Sequence, residues 1–396
     1  PIESLMRNPF RQTLGSLNEN FVGRDYEINA IKKLIQGLSR DNLDPKALIC
    51  YGPQGYGKTT LLGYVAKHSD RFCKELVLDS PIKTVRATPD VCDIASLYEI
   101  ITGESALVEE ITQDKTDAGV NVGIAKFGSE GALTRVYDSS VKNYLELFKT
   151  VSAKNPILLC IDEAHTMSSD QMRRMLLSIQ GCTERDIPVS VVLAGTPKLQ
   201  PLIRSCGATF AERYKRMTIG PLDNRYARAL LVEPFEKQGM NLPEARVKEA
   251  LDNCHNYPFF LQAYGHSIWE HCIEQGTLIE RDSMWQRAKD EFNETKNRMY
   301  GERYREFRKE QVLYSAYVVA EIFKINEVPS HVYLADYLRE KGVPDPDEAI
   351  EKLDELGYIW NPEKPWAYEQ GIPSLMDFVG NTFEQELSQS QPRSKD

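Results

Sequence analysis

Eight residues, Gly52-Pro53-Gln54-Gly55-Tyr56-Gly57-Lys58-Thr59, carry three glycines, a lysine and a hydroxyl in the spacing G-x-x-x-x-G-K-T. That spacing suits one chemistry. The glycines let a loop turn tightly enough to aim successive backbone N–H groups at an anion. Lys58 would reach the β- and γ-phosphates of a nucleoside triphosphate, and the Thr59 hydroxyl would ligate Mg²⁺. Pro53, Gln54, Tyr56 and Thr60 complete the candidate cradle. About a hundred residues on, Pro156-Ile157-Leu158-Leu159-Cys160-Ile161-Asp162-Glu163-Ala164-His165 ends an apolar run in two carboxylates. Phosphoryl transfer depends mainly on positioning and charge stabilisation. Asp162 is therefore expected to hold Mg²⁺ through its water shell, and Glu163 to orient the attacking water. An acidic helix N-cap after a strand would leave the same residues. The letters Asp-Glu-Ala-His also open a helicase motif, but no Ser-Ala-Thr or Gln-x-x-Gly-Arg sequence accompanies them.

These residues need elements to hold them. Ala47–Tyr51 is a short apolar run that reads as a buried strand, and Thr60, Leu61, Leu62, Tyr64 and Val65 follow at helical spacing. Strand, glycine loop, helix is the setting in which a helix N-terminus and loop amides together bind phosphate. The run 157–161 reads as a second buried parallel strand, with its carboxylates at the C-terminal edge where α/β sheets bind ligands. Residues 188–197 read as a third, ending in Gly195-Thr196-Pro197. The expected fold class is α/β: a parallel-sheet core followed by helices.

Composition sets outer bounds. At 396 residues, two or three domains are expected. Hydrophobic content of 41% and charged content of 27% are those of an ordinary soluble globular protein. No apolar run reaches the roughly 18 residues of a membrane span. No basic region followed by an apolar stretch opens the sequence, so a cytoplasmic location is expected. The eight cysteines lack C-x-x-C spacing and the six histidines lack metal-ligand spacing. A zinc site or disulfide framework is not expected. The metal expected is the Mg²⁺ that accompanies ATP.

With these motifs in order, the chain resembles the AAA+ ATPases, in the branch shared by replication initiators and small prokaryotic ATPases. Asn8-Pro9-Phe10 and Phe21-Val22-Gly23-Arg24-Asp25 are similar to the segment flanking the adenine, which implies a nucleotide contact at Val22. The resemblance implies that Thr196 senses the γ-phosphate, although Thr196 could equally cap a helix whose first position is Pro197. In Phe210-Ala211-Glu212-Arg213-Tyr214-Lys215-Arg216 it implies an arginine finger reaching a neighbouring subunit. Arg213 is favoured and Arg216 second, with a surface salt bridge as the alternative for either. It also implies a homo-oligomer formed on ATP binding. Tyr257-Pro258-Phe259-Phe260-Leu261-Gln262 resembles the start of a lid helix, within helices spanning 223–280. The sensor arginine common on that helix is missing from 256–264. A Tyr-Pro stands there instead, closer to the Gly-x-Pro of signal-transduction ATPases, with Asn256 at the glycine's place. A hairpin is expected within 114–134, touching nucleic acid or a neighbour or serving as a surface ribbon.

The last third reads as a connecting helix over 281–310, broken near Gly301, then a winged-helix-like domain over 311–386. Its three helices are expected at 312–323, 331–340 and 346–356, with two strands around the Pro-containing turn of 358–368. The tail 387–396 is rich in Ser, Gln and charge and reads as disordered. From Gln311 to Asp396 there are 16 acidic and seven basic residues, a net of −9 out of the chain's −10. DNA affinity comes largely from neutralising phosphates with Lys and Arg. A helix bearing Asp347, Glu348, Glu351, Asp354 and Glu355 against Lys352 would repel them, which disfavours DNA. Trp360 and Trp366 beside Lys364 read either as an exposed surface for a protein partner or as the small core of the module. The function expected is an ATP hydrolase whose nucleotide state controls assembly with itself or a partner, the alternative being a DNA-associated initiator or transposition-type ATPase.

Overall fold

The computed structural model describes residues 7–11, 21–39, 46–78, 80–104, 107–109, 124–126, 133–134, 141–274, 276–362 and 367–390. They fall into two compact units. One comprises Arg24–Tyr51 and Leu61–Met217, the other Pro1–Gly23, Gly52–Thr60 and Thr218–Asp396.

In the first unit the chain runs α1 (Asp25–Gln36), β1 (Ala47–Tyr51), α2 (Lys58–Lys67), α3 (Ser69–Glu75), β2 (Lys83–Ala87) and α4 (Ile94–Thr102). Three short strands follow, β3 (Leu107–Glu109), β4 (Ile124–Lys126) and β5 (Leu133–Thr134), then α5 (Val141–Val151), β6 (Ile157–Ile161), α6 (Ser169–Glu184), β7 (Val189–Gly195), α7 (Leu199–Ser205) and β8 (Lys215–Thr218). Five strands form one sheet in the order β2-β6-β7-β1-β8, and the β2–β6, β6–β7 and β7–β1 pairings are parallel. Strands β1, β6 and β7 are buried along their whole length. Sheets covered by helices on both faces demand such continuous apolar runs, which is why these segments read so clearly in the sequence. One face packs Ile49, Leu159, Val191 and Leu193 against Leu97, Phe148, Leu176 and Ile179 of α4, α5 and α6. Helix α6 starts in a capping box, where Ser168 and Gln171 satisfy each other's backbone N–H groups.

The register matters more than the core. Tyr51 pairs with Gly195, Leu193 with Ile161, and Ile161 with Ala87. The residues just beyond β6 and β7, Asp162 and Thr196, therefore leave the sheet at the same edge as Tyr51, after which the glycine loop begins. Strand β4 pairs antiparallel with both β3 and β5. The ribbon expected within 114–134 is thus a three-stranded sheet reaching back to Leu107, and most of its connecting residues lie outside the described ones.

In the second unit α8 (Asn224–Glu236), α9 (Glu244–Cys254) and α10 (Pro258–Cys272) occupy the expected lid. A small pair, β9 (Ile273–Glu274) with β10 (Thr277–Leu278), leads into α11 (Asp282–Lys309). Helix α11 runs through Gly301 unbroken, contrary to the expected break. Its apolar side is anchored on α10, where Tyr264 stacks on Phe292 at 4.6 Å and Phe260 meets Phe292 and Tyr300 edge-on. Such packing outweighs the roughly 1 kcal/mol that a mid-helix glycine costs. Next come α12 (Leu313–Phe323), α13 (His331–Glu340), α14 (Pro346–Glu355), β11 (Ile359–Trp360), β12 (Glu369–Gln370) and α15 (Leu375–Ser390). The expected order of three helices and an antiparallel strand pair is present. Helix α15 was not expected, and it extends through residues read as a disordered tail. Phe383 packs on Tyr314 and Tyr317 of α12, which supplies the apolar contact that the polar sequence around it conceals. Residues 391–396 lie outside the described ones.

Candidate functional site

The glycine loop is held from several sides within its own unit. Gly55 and Gly57 take φ of +85° and +93°, which only glycine adopts at little cost. A Cβ on Gly55 would lie 2.0 Å from the Tyr257 hydroxyl, and one on Gly52 would lie 2.1 Å from the Ile219 carbonyl. The Tyr257 hydroxyl donates to the Gln54 carbonyl at 2.6 Å, and the Phe259 N–H donates to the Gly55 carbonyl at 3.2 Å. Tyr257 is fully buried, and burial pushes its pKa well above the usual value, so it stays a donor. Tyr56 is buried as well. Its hydroxyl donates to the Gly371 carbonyl at 2.7 Å, and its ring lies edge-on to Tyr257 and stacks on Trp360. The start of α10 and the C-terminal module thus grip the same loop. Trp360 is only 2% exposed, which rules out its expected alternative as an exposed partner surface and makes it part of a core. Trp366 lies outside the described residues. Lys58, itself buried, donates from Nζ to the Gly52 and Pro53 carbonyls of its own loop at 2.7 and 2.9 Å. Thr59 and Thr60 begin α2.

Asn256 takes φ of +56° after His255 at +49°. Asparagine tolerates this left-handed region better than most residues, so it performs the turn that a glycine would. It lets Pro258 open α10 at its first position, where proline's missing N–H costs nothing. The N-terminal segment reaches this helix too. Phe10 packs on Phe235 and Trp269, and a Cβ on Gly265 would lie 2.4 Å from its ring. Val22 is half-buried beside Gly23, whose Cα faces Tyr226 of α8.

The sheet edge in the other unit is looser. Buried Asp162 accepts from the Glu163 N–H at 3.0 Å and faces the Arg86 guanidinium at 3.8 Å. Glu163 has φ of +52° and caps no helix with its side chain, which is 53% exposed. Glu163 thus stands at the N-cap of the 3₁₀ turn Ala164–Thr166, as the alternative reading placed it, but without a capping bond from its side chain. His165 Nε2 lies 3.6 Å from Glu163 Oε2, and His165 Nδ1 accepts from the Thr196 N–H at 3.3 Å. Thr196 does not cap α7 either, because the N-cap is Lys198. Its hydroxyl is buried with no hydrogen-bond partner among the described residues. A buried hydroxyl left unsatisfied costs about 1–3 kcal/mol, so this orphan fits a site that awaits an external oxygen. Arg213 ends a 3₁₀ turn at Thr209–Arg213. Arg213 and Arg216 are both exposed and make no ion pair with a described residue, so the salt-bridge alternative is not realised.

The donor chemistry suits Mg²⁺ better than a tightly caged metal. No group of three or more His, Cys, Asp or Glu residues that could hold a metal occurs among the described residues. Each unit carries a hard oxygen donor of the kind Mg²⁺ takes, the Thr59 hydroxyl in one and the Asp162 carboxylate in the other, and Mg²⁺ keeps several waters and binds substrate phosphates. The sequence reading missed Arg86 and His165. The signal for Arg86 was a charge inside a strand otherwise fit for burial, and for His165 it was the letter after Asp-Glu-Ala.

Residues 42–203 match the family model described as "AAA domain". The match covers 162 of the 396 residues, and over them the chain is similar to that family. The matched segment spans β1, the glycine loop, Asp162, Glu163 and Thr196, whereas Arg213, the lid and the C-terminal module lie beyond it. Nucleotide binding is the property this family implies. No curated protein matches the chain. Among solved structures, a Walker-type ATPase of Pyrococcus abyssi is 14% identical with a TM-score of 0.59, covering 93% of this chain and 99% of that one. The ORC2 protein of Aeropyrum pernix, in ADPNP–ADP complexes, is 13% identical with a TM-score of 0.53, covering 94% and 98%. At these identities the likeness is one of fold, that of the AAA+ P-loop ATPases. Among the described residues no helix is long and apolar enough to cross a membrane.

Proposed function

We propose that this protein is an ATP hydrolase acting as a nucleotide-dependent switch, whose loop occupancy is read out by its C-terminal module. The observation that carries this reading is the Tyr56 anchor. A residue inside the phosphate-binding loop donates to Gly371 and stacks on Trp360, so a loop that rearranges around phosphate must move or strain that module. In this reading Lys58 leaves its loop carbonyls for the β- and γ-phosphates, and the loop amides bind phosphate oxygens. Thr59 and Asp162 would hold Mg²⁺, which supplies neutralisation of the β,γ-oxygen charge when bound. Glu163 orients water for in-line attack, while Thr196 donates to a γ-phosphate oxygen. The water oxygen bonds to the γ-phosphorus as the bond to the bridging oxygen breaks. ADP leaves with that electron pair, and the water proton passes by way of Glu163 to phosphate or solvent. Arg213, with Arg216 second, would complete a neighbouring copy's site in a homo-oligomer.

The winged-helix reading of 311–386 belongs to the same proposal, with a protein partner on its acidic surface. The exposed carboxylates of Asp347, Glu348 and Glu351 on α14 argue against DNA. The test is hydrogen exchange over 357–372, with sizing, in the presence and absence of ATP–Mg²⁺ and of duplex DNA. Protection that changes with ATP in the wild type, and not in Lys58→Ala, supports the switch. Exchange indifferent to ATP removes it, and a DNA-dependent shift in size transfers the reading to a DNA-bound assembly. Glu163→Gln should bind ATP and lose turnover by about 100-fold or more.

A further inference from the structure

Three residues at the ends of β6 and β7 form a chain of contacts that the reading above leaves unused. We infer that His165 is a positioning residue for Glu163, fixing its carboxylate in the water-orienting place and tying it to Thr196. This rests on the assignment of Glu163 above.

The backbone of Glu163 is already pinned. Its N–H donates to Asp162 Oδ1 at 3.0 Å, and its carbonyl accepts from the Thr166 N–H and hydroxyl, both at 2.9 Å. Its side chain is half-exposed and turns on several rotatable bonds. His165 stands beside it with only 11% of its own side chain exposed. Its ring is seated by Gly195, where a Cβ would lie 3.1 Å from Nδ1 and 3.2 Å from the histidine's own Cβ. The Thr196 N–H donates to Nδ1, so the neutral imidazole carries its proton on Nε2. That N–H lies next to Glu163 Oε2 at 3.6 Å, which a small side-chain rotation converts into a hydrogen bond. Catalytic contacts often run long before substrate binds and tighten afterwards.

The same backbone that delivers the Thr196 hydroxyl therefore orients the imidazole that faces Glu163. A phosphate oxygen engaging Thr196 shifts the residue whose N–H holds His165, and the shift reaches the carboxylate through one ring. The arrangement supplies a physical route from γ-phosphate contact to water orientation.

The test exploits the two ring nitrogens. Asn at 165 places its carbonyl near Nδ1 and keeps the bond to Thr196, but cannot reach Glu163. Gln places its amide near Nε2 and can donate to Glu163, but gives up Thr196. We expect His165→Asn to lower kcat by about tenfold or more, because misplacing a reacting group by about an ångström has effects of that order. His165→Gln should turn over about fivefold faster than His165→Asn, with nucleotide Kd within about twofold of wild type for both. A packing role alone predicts the reverse ranking or equal losses, and either result overturns the inference. Nitrogen chemical shifts of His165 in the wild-type chain give a check independent of any variant. An Nε2–H tautomer agrees, and an Nδ1–H tautomer overturns it. If Glu163→Gln loses turnover while His165→Asn keeps it, this inference alone fails. If wild-type protein or Glu163→Gln contradicts the hydrolase reading itself, both fail together.

Discussion

In the loop from Gly52 to Thr60 the side chains that could stray are held. Tyr56 is buried between Tyr257 and Trp360 and bonded to Gly371, and Lys58 is bonded to two carbonyls of its own turn. The sheet edge differs. The Thr196 hydroxyl has no partner among the described residues, the Glu163 side chain is half-exposed on a left-handed backbone, and Asp162 accepts the Glu163 N–H and faces Arg86 at 3.8 Å. A cradle gains affinity from being preformed, because little ordering is left to do on binding. Groups that must meet a reacting water and a changing phosphate gain from retained freedom. The difference separates residues that should govern binding and stability from those that should govern turnover.

The severest way to break that division is Trp360→Ala. Emptying this buried position should cost about 3–5 kcal/mol in urea unfolding and weaken ATP binding as the loop loosens. A stability loss with ATP affinity intact would mean that the aromatic stack is packing only. Lys58→Ala comes next. Losing a charged donor to phosphate is worth about 3 kcal/mol, close to 100-fold in Kd by titration calorimetry. Thr196→Val sharpens the other side. Stability without nucleotide should stay within about 0.5 kcal/mol or rise, since an unsatisfied hydroxyl disappears, while turnover drops about tenfold. A clear stability loss would show that the hydroxyl is satisfied in solution.

The smallest effect concerns His255, which bonds Ser374 at 3.1 Å and precedes the turn that seats Tyr257. Burial, with Lys296 nearby, lowers its pKa from the ordinary 6.5. The folded chain therefore favours the neutral ring. Its contribution is present above pH 6.5 and is lost as pH falls below that value and through the lower folded pKa. Melting temperature should decline over that window, and His255→Gln should flatten the decline.

Much of this was readable beforehand. The buried strands before Gly52, Asp162 and Thr196 announce themselves as unbroken apolar runs, because a sheet covered on both faces tolerates little else. The lid is implied by the family resemblance at Tyr257-Pro258, and the three later helices read as helical stretches of the sequence. Other features depended on partners distant in the chain. Helix α15 carries its apolar contact on Phe383 amid polar residues. Helix α11 crosses Gly301 because α10 packs along it. The burial of Trp360 depends on Tyr56, and no local pattern encodes that pairing. Arg86 and His165 join the edge only through register and turn geometry. Thr196 reads in the sequence both as a helix cap and, by the resemblance, as a γ-phosphate sensor, and its hydroxyl serves no helix.

The Tyr257 hydroxyl fills the space a side chain on Gly55 would need. In evolutionary terms, these two positions are not free to drift separately. A descendant that acquires any side chain at 55 must first exchange Tyr257 for something much smaller, and thereby surrender the bond to Gln54. Natural variants of this chain should therefore inherit Gly55 and Tyr257 as a pair or lose both, a double substitution that sequencing of its relatives can count.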